Sequence, residues 1–549
     1  MGLLDSIVGR RSNDDASDQV ITKSAEHIKP PAAPQVVSIP SRPVAPGGYL
    51  ARLNEPMVRL SPAGDMWRIE DATAGVSILG SNGSGKTTGS GQTLAKAYLR
   101  AGWGGLVLCA KADEADLWER YAHETGRSKD VIRVGREHLW RFNFLYYELN
   151  RPGDSAARVD NLISTLMNLM EQQGRNSVGG DAAQWQQMAE NLLRNSLMML
   201  TAAQSYFTLF EVQQFIDSVP LSEDAAKRSG ETPFAKTLER AKAAYISERR
   251  LADYDIIEHY FKVQFPRLAD RTRSSITITL DSMMQDLLTG LPREMFGTGT
   301  NFFPEDSFEG AIILLDLPVI ENRANRTAQS LFKTVWQQAA LRRQGGDLQR
   351  MRPTFLWADE AHFFVTQYDT SYQSLARSAK ACTVYLTQNL SSYEAELGER
   401  GEVLARRLMG LFQTHIFHAQ TDPHTLNYII QLFGRREVTR INRTVNRSVG
   451  SSYSFNMSVN SSVSGGDYQP GSHSAGYSTG ENFGQSETLS HGGSESTQVE
   501  DSLFASNLTT LPNGSDRYGG IAAAFIFKNA NTWQHGNNIL YSQFTRRLK

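Results

Sequence analysis

The sequence predicts an α/β protein, a parallel sheet wrapped by crossover helices with an all-helical domain inserted into it. Three observations carry this reading. Val76-Ser-Ile-Leu79 is a buried-strand run ending in a glycine-rich loop, and a second apolar run, Leu106–Ala110, follows one helix later. That order is the start of a parallel sheet with crossover helices. From about Asn150 to Leu291 the apolar spacing turns helical, and strand-like runs then resume at Ala311–Leu317, Thr354–Glu360, Thr383–Gln388 and Thr414–His418.

The elements justify themselves in order. Met66-Trp-Arg-Ile is a short β-like entry. In the helical block, Val159, Leu162, Ile163, Leu166, Met167 and Met170 fall on one face, as do Trp185, Met188, Leu192, Ser196 and Leu200. Lys236 to Arg267, rich in Ala, Glu, Arg and Lys, reads as a solvated helix. Residues 448–499 hold 15 Ser and 9 Gly and no Lys or Arg, the composition of a linker. Yet Tyr453, Phe455, Met457 and Val459 alternate with polar residues, so the segment is expected to be a surface excursion that is partly β. Gly519–Phe527 reads as a final strand returning to the sheet.

Composition sets the outer limits. With 549 residues, 40% apolar and 21% charged, the chain is globular rather than disordered. Its net charge of −2 advertises no global basic field, so any nucleic-acid contact must come from local patches. No apolar run approaches the roughly 20 residues of a membrane-spanning helix. Cys109 and Cys382 cannot build a disulfide framework and are expected to be buried, inert thiols in a reducing, cytoplasmic setting. Residues 1–48, polar and then proline-punctuated, read as a disordered leader. Gly2 and Ser6 there formally match a myristoylation pattern, but on so short a motif they are read as a frayed amphipathic start.

The sharpest chemistry lies at Gly80-Ser81-Asn82-Gly83-Ser84-Gly85-Lys86-Thr87-Thr88, a complete P-loop with the strand it requires before it. Backbone N–H groups at the glycines wrap a phosphate chain that side chains would exclude, and the following helix N-terminus adds positive potential. Lys86 is expected to neutralise the β- and γ-phosphates of ATP, and Thr87 to ligate Mg2+. Asp359 ends an apolar run where a second Mg2+ ligand is needed, and Glu360 is the candidate base for the attacking water. Gln388, ending the next strand, is the candidate γ-phosphate relay. Asp359-Glu-Ala-His362 also spells the DEAH helicase box, but Lys86 and Asp359 lie about 270 residues apart, several times the gap in those enzymes. His362 is therefore taken as a coincidental neighbour. No His/Cys cluster has zinc spacing.

These residues resemble the coupling ATPases of conjugation and type IV secretion, the TraG/TraD-like branch of the P-loop motors that carry an additional strand. The likeness runs from about Tyr49 to the C-terminus. It rests on the P-loop, Ala110-Lys111-Ala-Asp113-Glu114, the helical insertion, Ile313–Pro318, Trp357-Ala-Asp-Glu-Ala361, Leu386-Thr-Gln-Asn-Leu-Ser391, Thr414–Gly434 and the closing Phe525 to Phe544. It implies a RecA-like P-loop sheet domain over 49–149, 301–447 and 501–549, with the all-α domain at 150–300 and the Ser/Gly-rich excursion at 448–500.

The resemblance further implies a hexameric ring that hydrolyses ATP between subunits and translocates DNA or nucleoprotein. The insertion would face a relaxosome or secreted protein. A neighbouring subunit would supply an arginine finger, with Arg377, Arg406, Arg407, Arg435 and Arg436 as candidates. Most relatives begin with transmembrane helices; the leader here has none, so the expected location is cytoplasmic, either as a soluble relative or peripheral at the bacterial inner membrane through a separate membrane or secretion-channel protein. The alternative reading is a nucleotide-switched platform recruiting proteins for secretion or a defence complex. Patches for DNA phosphates are Arg271 with Arg273, Arg342 with Arg343, Arg406 with Arg407, and the arginines at 435, 436, 440, 443 and 447.

Overall fold

The computed structural model describes residues 52–545 except 173–179, 223, 226–229, 321, 348–349, 450–452, 463–486, 530–531 and 536–537. The proline-rich leader with its Gly2 and Ser6 pattern, and the middle of the Ser/Gly-rich segment, lie outside the described residues.

Strands β1 (Pro56–Arg59) and β2 (Met66–Arg68) form an antiparallel hairpin. The main sheet takes β3 (Val76–Leu79), β4 (Gly104–Leu108), β5 (Val131–Val134), β6 (Ile312–Leu315), β7 (Thr354–Ala358), β8 (Ala381–Thr387) and β9 (Thr414–Phe417), all parallel. A three-stranded antiparallel sheet follows, from β10 (Arg435–Val449), β11 (Tyr453–Ser462) and β12 (Glu487–Asp501). The chain then returns to the main sheet as β13 (Ile521–Lys528) and β14 (Ile539–Thr545), both antiparallel. The nine-stranded order is β14-β13-β9-β3-β8-β7-β4-β6-β5. Strand β8 thus lies between the P-loop strand β3 and the acidic strand β7, the additional-strand arrangement.

The parallel strands are apolar runs because both of their faces are covered. Along β7, Phe355 and Trp357 face one core, with Tyr98, Trp103 and Trp118. Leu356 and Ala358 face the other, with Phe332, Val335 and Tyr385. The P-loop helix Gln92–Arg100 and the helix Glu114–Glu124 cover the first face. Helices Arg323–Leu341, Gln367–Ala376 and Gly401–Leu411 cover the second.

Between β5 and β6 in chain order come helices from Phe144–Leu149 to Gly290–Phe296. Their apolar stripe is buried as the spacing predicts at Val159, Leu162, Ile163, Leu166, Leu192 and Leu200, whereas Trp185 and Met188 are only half-buried. Lys236–Arg267 is not one solvated helix. It breaks after Ser247 at Arg249, which takes a left-handed φ of 59°, and it buries Leu238, Tyr245, Tyr254 and Phe261. Strand β5 escaped the sequence reading because Val-Ile-Arg-Val is short and carries a charge; Arg133 projects to Asp316, at 2.7 Å.

One buried polar network fixes the acidic edge of the sheet. Lys333 and Asp369, both fully buried, pair at 2.5 Å. Lys333 Nζ also donates to the Phe364 carbonyl, while Asp369 accepts from Tyr385 Oη of β8, Gln337 Nε2 and the Thr366 N–H. Burial alone would raise the Asp369 carboxyl, but the Lys333 ammonium and these donors hold it below the usual carboxylate range. A carboxyl depressed on folding stabilises above its unfolded value, and that contribution is lost as pH falls through the folded one. Lys333→Met is expected to cost about 3–5 kcal/mol at pH 7 because it strands a buried charge. The deficit should shrink below about pH 4, and urea unfolding at pH 7 and pH 3 measures both values.

Candidate active site

The site is assembled at the C-terminal ends of β3, β4, β7 and β8. Past Leu79 the chain leaves β3 as a loop in which Gly83 and Gly85 take φ of 71° and 88°, a region that favours glycine. A Cβ on Gly85 would sit 2.6 Å from Ala522 Cβ and 3.1 Å from the Asn513 carbonyl. The loop is therefore pressed against the chain that returns from β12. Lys86 is 7% exposed and donates to the Gly80 carbonyl at 2.7 Å and the Ser81 carbonyl at 3.3 Å. Burial lowers its pKa, and Asp359 and Glu360 oppose that shift.

The P-loop meets the acidic strand directly. Thr87 Oγ1 donates to Asp359 Oδ2 at 2.5 Å. Asp359 Oδ1 accepts the Glu360 N–H at 3.0 Å, and Glu360 takes a left-handed φ of 52°. Such a backbone is costly for a residue other than glycine and marks a side chain aimed by its surroundings. Glu360 Oε1 accepts from Lys111 Nζ and from Gln388 Nε2, each at 3.3 Å. Gln388 is held in turn through its own carbonyl, which accepts from Gln420 Nε2.

Asn82 to Thr88, Lys111, Asp359, Glu360, Asn513, Gly514 and Ser515 line a cavity of about 290 Å3. The structure brings Lys86, Thr87, Asp359, Glu360 and Gln388 together. Gly80 and Ser81 lie behind the cavity; Ser81 Oγ donates to Gln420 Oε1 at 3.1 Å. The donor set suits a bound triphosphate with a cation. A backbone cradle closes over Lys86, a hydroxyl and a carboxylate meet at the cation position, and the buried Ser84 hydroxyl has no partner.

Four features escaped the sequence reading as site residues. Lys111 leaves β4 beside the acidic pair; its burial lowers its pKa, but Asp359 and Glu360 raise it further. Glu114 is buried and accepts from the Ala110 N–H at 2.7 Å, and burial together with Asp359 pushes it up to about 8. The Asn513–Ser515 turn comes from far along the chain, and no local motif marks it. His418, behind the loop, bonds Ser90 Oγ through Nε2 at 2.7 Å; burial and then Lys86 push it down to about 3, so it stays neutral.

Several arginines offered for other roles are already engaged. Arg273 bonds the Pro266 and Leu268 carbonyls, Arg342 bonds Tyr147 Oη, and Arg343 bonds the Arg352 carbonyl and lies over the Phe308 ring. These three are structural rather than free phosphate contacts. Of the finger candidates, Arg406 pairs with Glu402 and Arg435 with Asp501. Arg377 opens onto a cleft with Glu70, Asp71, Gln413 and Lys528 at the opposite edge of the sheet. The side chains of Arg440, Arg443 and Arg447 lie outside the described part of the structure. Cys109 and Cys382 are buried free thiols, raised by burial. Among the described residues no helix is long and apolar enough to cross a membrane, and no group of His, Cys, Asp and Glu is arranged to hold a metal by itself.

The crowding at Gly85 yields a test. Gly85→Ala should leave the fold intact and weaken nucleotide binding at least about tenfold, or 1.4 kcal/mol, as read by fluorescent nucleotide titration beside a melting curve.

Residues 353–467 match the family model described as the TraM recognition site of TraD and TraG. No curated protein sequence matches the chain. Among solved structures, the bacterial conjugative coupling protein TrwBdeltaN70 in its unbound monoclinic form matches with a TM-score of 0.53 at 15% identity, over 91% of this chain and 93% of that one. Its trigonal form in complex with sulphate gives 0.54 at 14%, over 91% of each chain. TrwB in complex with the GTP analogue GDPNP gives 0.52 at 14%, over 91% and 94%. Residues 353–467 are thus similar to a recognition segment of TraD and TraG, and the chain as a whole shares the fold of the TrwB coupling protein.

Proposed function

We propose that this chain is an ATP-hydrolysing motor that moves DNA or nucleoprotein, as a conjugative coupling protein would. The observation that carries the reading is the placement of Glu360. It is buried, bracketed by Lys111 and Gln388, and next to the Thr87–Asp359 contact. A protein that only senses nucleotide has no use for a second carboxylate held there. Solved TrwB complexes with an ATP analogue and with ADP and Mg2+ support the same nucleotide and cation for this cavity.

Each side chain then has a defined task. Loop N–H groups from Asn82 to Thr88 and the Lys86 ammonium bind the phosphates. Thr87 and Asp359 hold Mg2+, which when bound polarises the terminal phosphate and offsets its charge. Glu360 orients a water and takes its proton. Lys111 donates to Glu360 and compensates the charge of the acidic pair, while Gln388 reports the state of the γ-phosphate position to β8. The proposed assembly is a hexameric ring in which a neighbour completes the site with an arginine, from Arg377, Arg406, Arg407, Arg435 or Arg436.

A second reading is favoured by the matched segment itself, whose description is a protein-recognition site. On that reading nucleotide switches assembly with a relaxosome or secretion partner, and DNA is not the track. Both readings take the chain to act beside a membrane channel through a separate partner.

ATP turnover measured with and without single- and double-stranded DNA separates the two. We expect Glu360→Gln to lower turnover at least about 100-fold while nucleotide binding is kept. DNA should stimulate the parent protein. Robust turnover indifferent to DNA would favour the protein-recruiting platform.

A further inference from the structure

Glu360 has two carboxylate oxygens, and the contacts above engage only Oε1. Oε2 is buried without a hydrogen-bond partner. The cationic or N–H group that faces it is His362 Nδ1, at 3.7 Å. His362 sits on the 3-10 turn Ala361–Phe363, its ring against that of Phe363 at 4.2 Å. Behind it Arg326 lies over the Phe363 ring and pairs with Glu396 at 2.6 Å. The imidazole is held between neighbours and not splayed into solvent.

The same Nδ1 is 3.0 Å from Thr387 Oγ1. Thr387 is the last residue of β8, and Gln388, which follows it, grips Glu360 Oε1. A closed circuit results, running from Glu360 through His362 and Thr387 to Gln388 and back to Glu360. Burial lowers the imidazole pKa and leaves a neutral ring with one N–H to place. A tilt of the ring by about half an ångström brings Nδ1 within hydrogen-bond reach of Oε2.

We propose that His362 is a positioning residue for hydrolysis, its Nδ1–H turning between Thr387 Oγ1 and Glu360 Oε2 so that the base is aimed in step with the end of β8. With the N–H on Thr387, Oε2 is free to accept the proton of water. With the N–H on Oε2, the carboxylate is locked in place and that oxygen is occupied. The strand that carries Gln388 thus controls both oxygens of the base. This role rests on the reading of Glu360 as the base.

The test compares kcat and KM for ATP, and affinity for a non-hydrolysable ATP analogue, across His362→Leu, His362→Asn, His362→Gln and Thr387→Val. His362→Leu should lower kcat at least about tenfold and leave KM and analogue affinity within about twofold, because the phosphate cradle is untouched. His362→Asn, whose Nδ2 can stand near the Nδ1 position, should recover kcat to within about threefold of the parent. Thr387→Val added to His362→Leu should cost nothing more, since both break one circuit.

A parental kcat in His362→Leu, or analogue affinity falling in parallel with kcat, would overturn the proposal. If His362→Leu does not fold, the pair His362→Asn and His362→Gln decides, because Gln puts its donor near the Nε2 position. Equal kcat in those two overturns it, and an Asn advantage of about tenfold supports it. A parent protein without turnover removes the assignment of Glu360 and this proposal together. Turnover that Glu360→Gln abolishes and His362→Leu leaves intact removes this proposal alone.

Discussion

The site depends on parallel pairing across three strands that are far apart in sequence. Strand β8 is buried at all seven residues and pairs with β3 on one side and β7 on the other. Parallel strands end on the same edge, so this register brings Leu79, Ala358 and Thr387 to one rim, sets the P-loop and the acidic pair around one cavity and puts Gln388 against Glu360. Inserting β8 widens the gap between phosphate loop and acidic strand by one strand. The Thr87–Asp359 contact still forms across it because Thr87 opens the helix beyond the loop rather than lying in the strand. Any loss of the β3–β8–β7 register would separate Thr87 from Asp359 and Gln388 from Glu360.

The electrostatics within that frame are closely balanced. Lys86 and Lys111 face Asp359 and Glu360, with the protonated form of Glu114 favoured by burial and by Asp359. Two cations set against the two carboxylates let the pocket be buried without a large uncompensated field. The left-handed backbone at Glu360 is the local cost, and the Lys333–Asp369 network behind it is what holds the turn in place. The same network reaches Tyr385 in β8, so the strand that bears Gln388 and the turn that bears Glu360 share one anchor.

The far wall of the cavity joins it to the rest of the chain. Asn513 pairs with Ala522, and the Gly514 N–H donates to the Ile521 carbonyl, so the lip over Gly85 is the start of β13. Twelve residues earlier the chain leaves β12, whose partner β10 follows directly on the helix Pro423–Phe433. The three-stranded sheet is therefore in covalent continuity with both sides of the site. The helical block is in contact on the other face, where Asn161 bonds Gln338 and Thr165 accepts from the same side chain.

Most of the sheet was legible because apolar runs bounded by turns have few alternatives, and Val76–Leu79 before Gly80–Thr88 admits one chemistry. Asp359, Glu360 and Gln388 could be named from their places at strand ends, although pattern alone left His362 a coincidence. What could not be read was the company these residues keep. Lys111 and Glu114 follow a strand without forming a motif, and Asn513–Ser515 lies some 425 residues beyond the loop it covers. Nothing local sets Lys333 apart from other helical lysines, because its partner Asp369 is on another helix, Gln367–Ala376. The sequence by itself nominated the side chains suited to phosphate, cation and proton chemistry, since backbone access, charge and hydroxyl ligation demand those residue types. Only the tertiary structure decided which oxygen of Glu360 is engaged and which is left open, because that depends on register and burial between strands that local sequence does not encode.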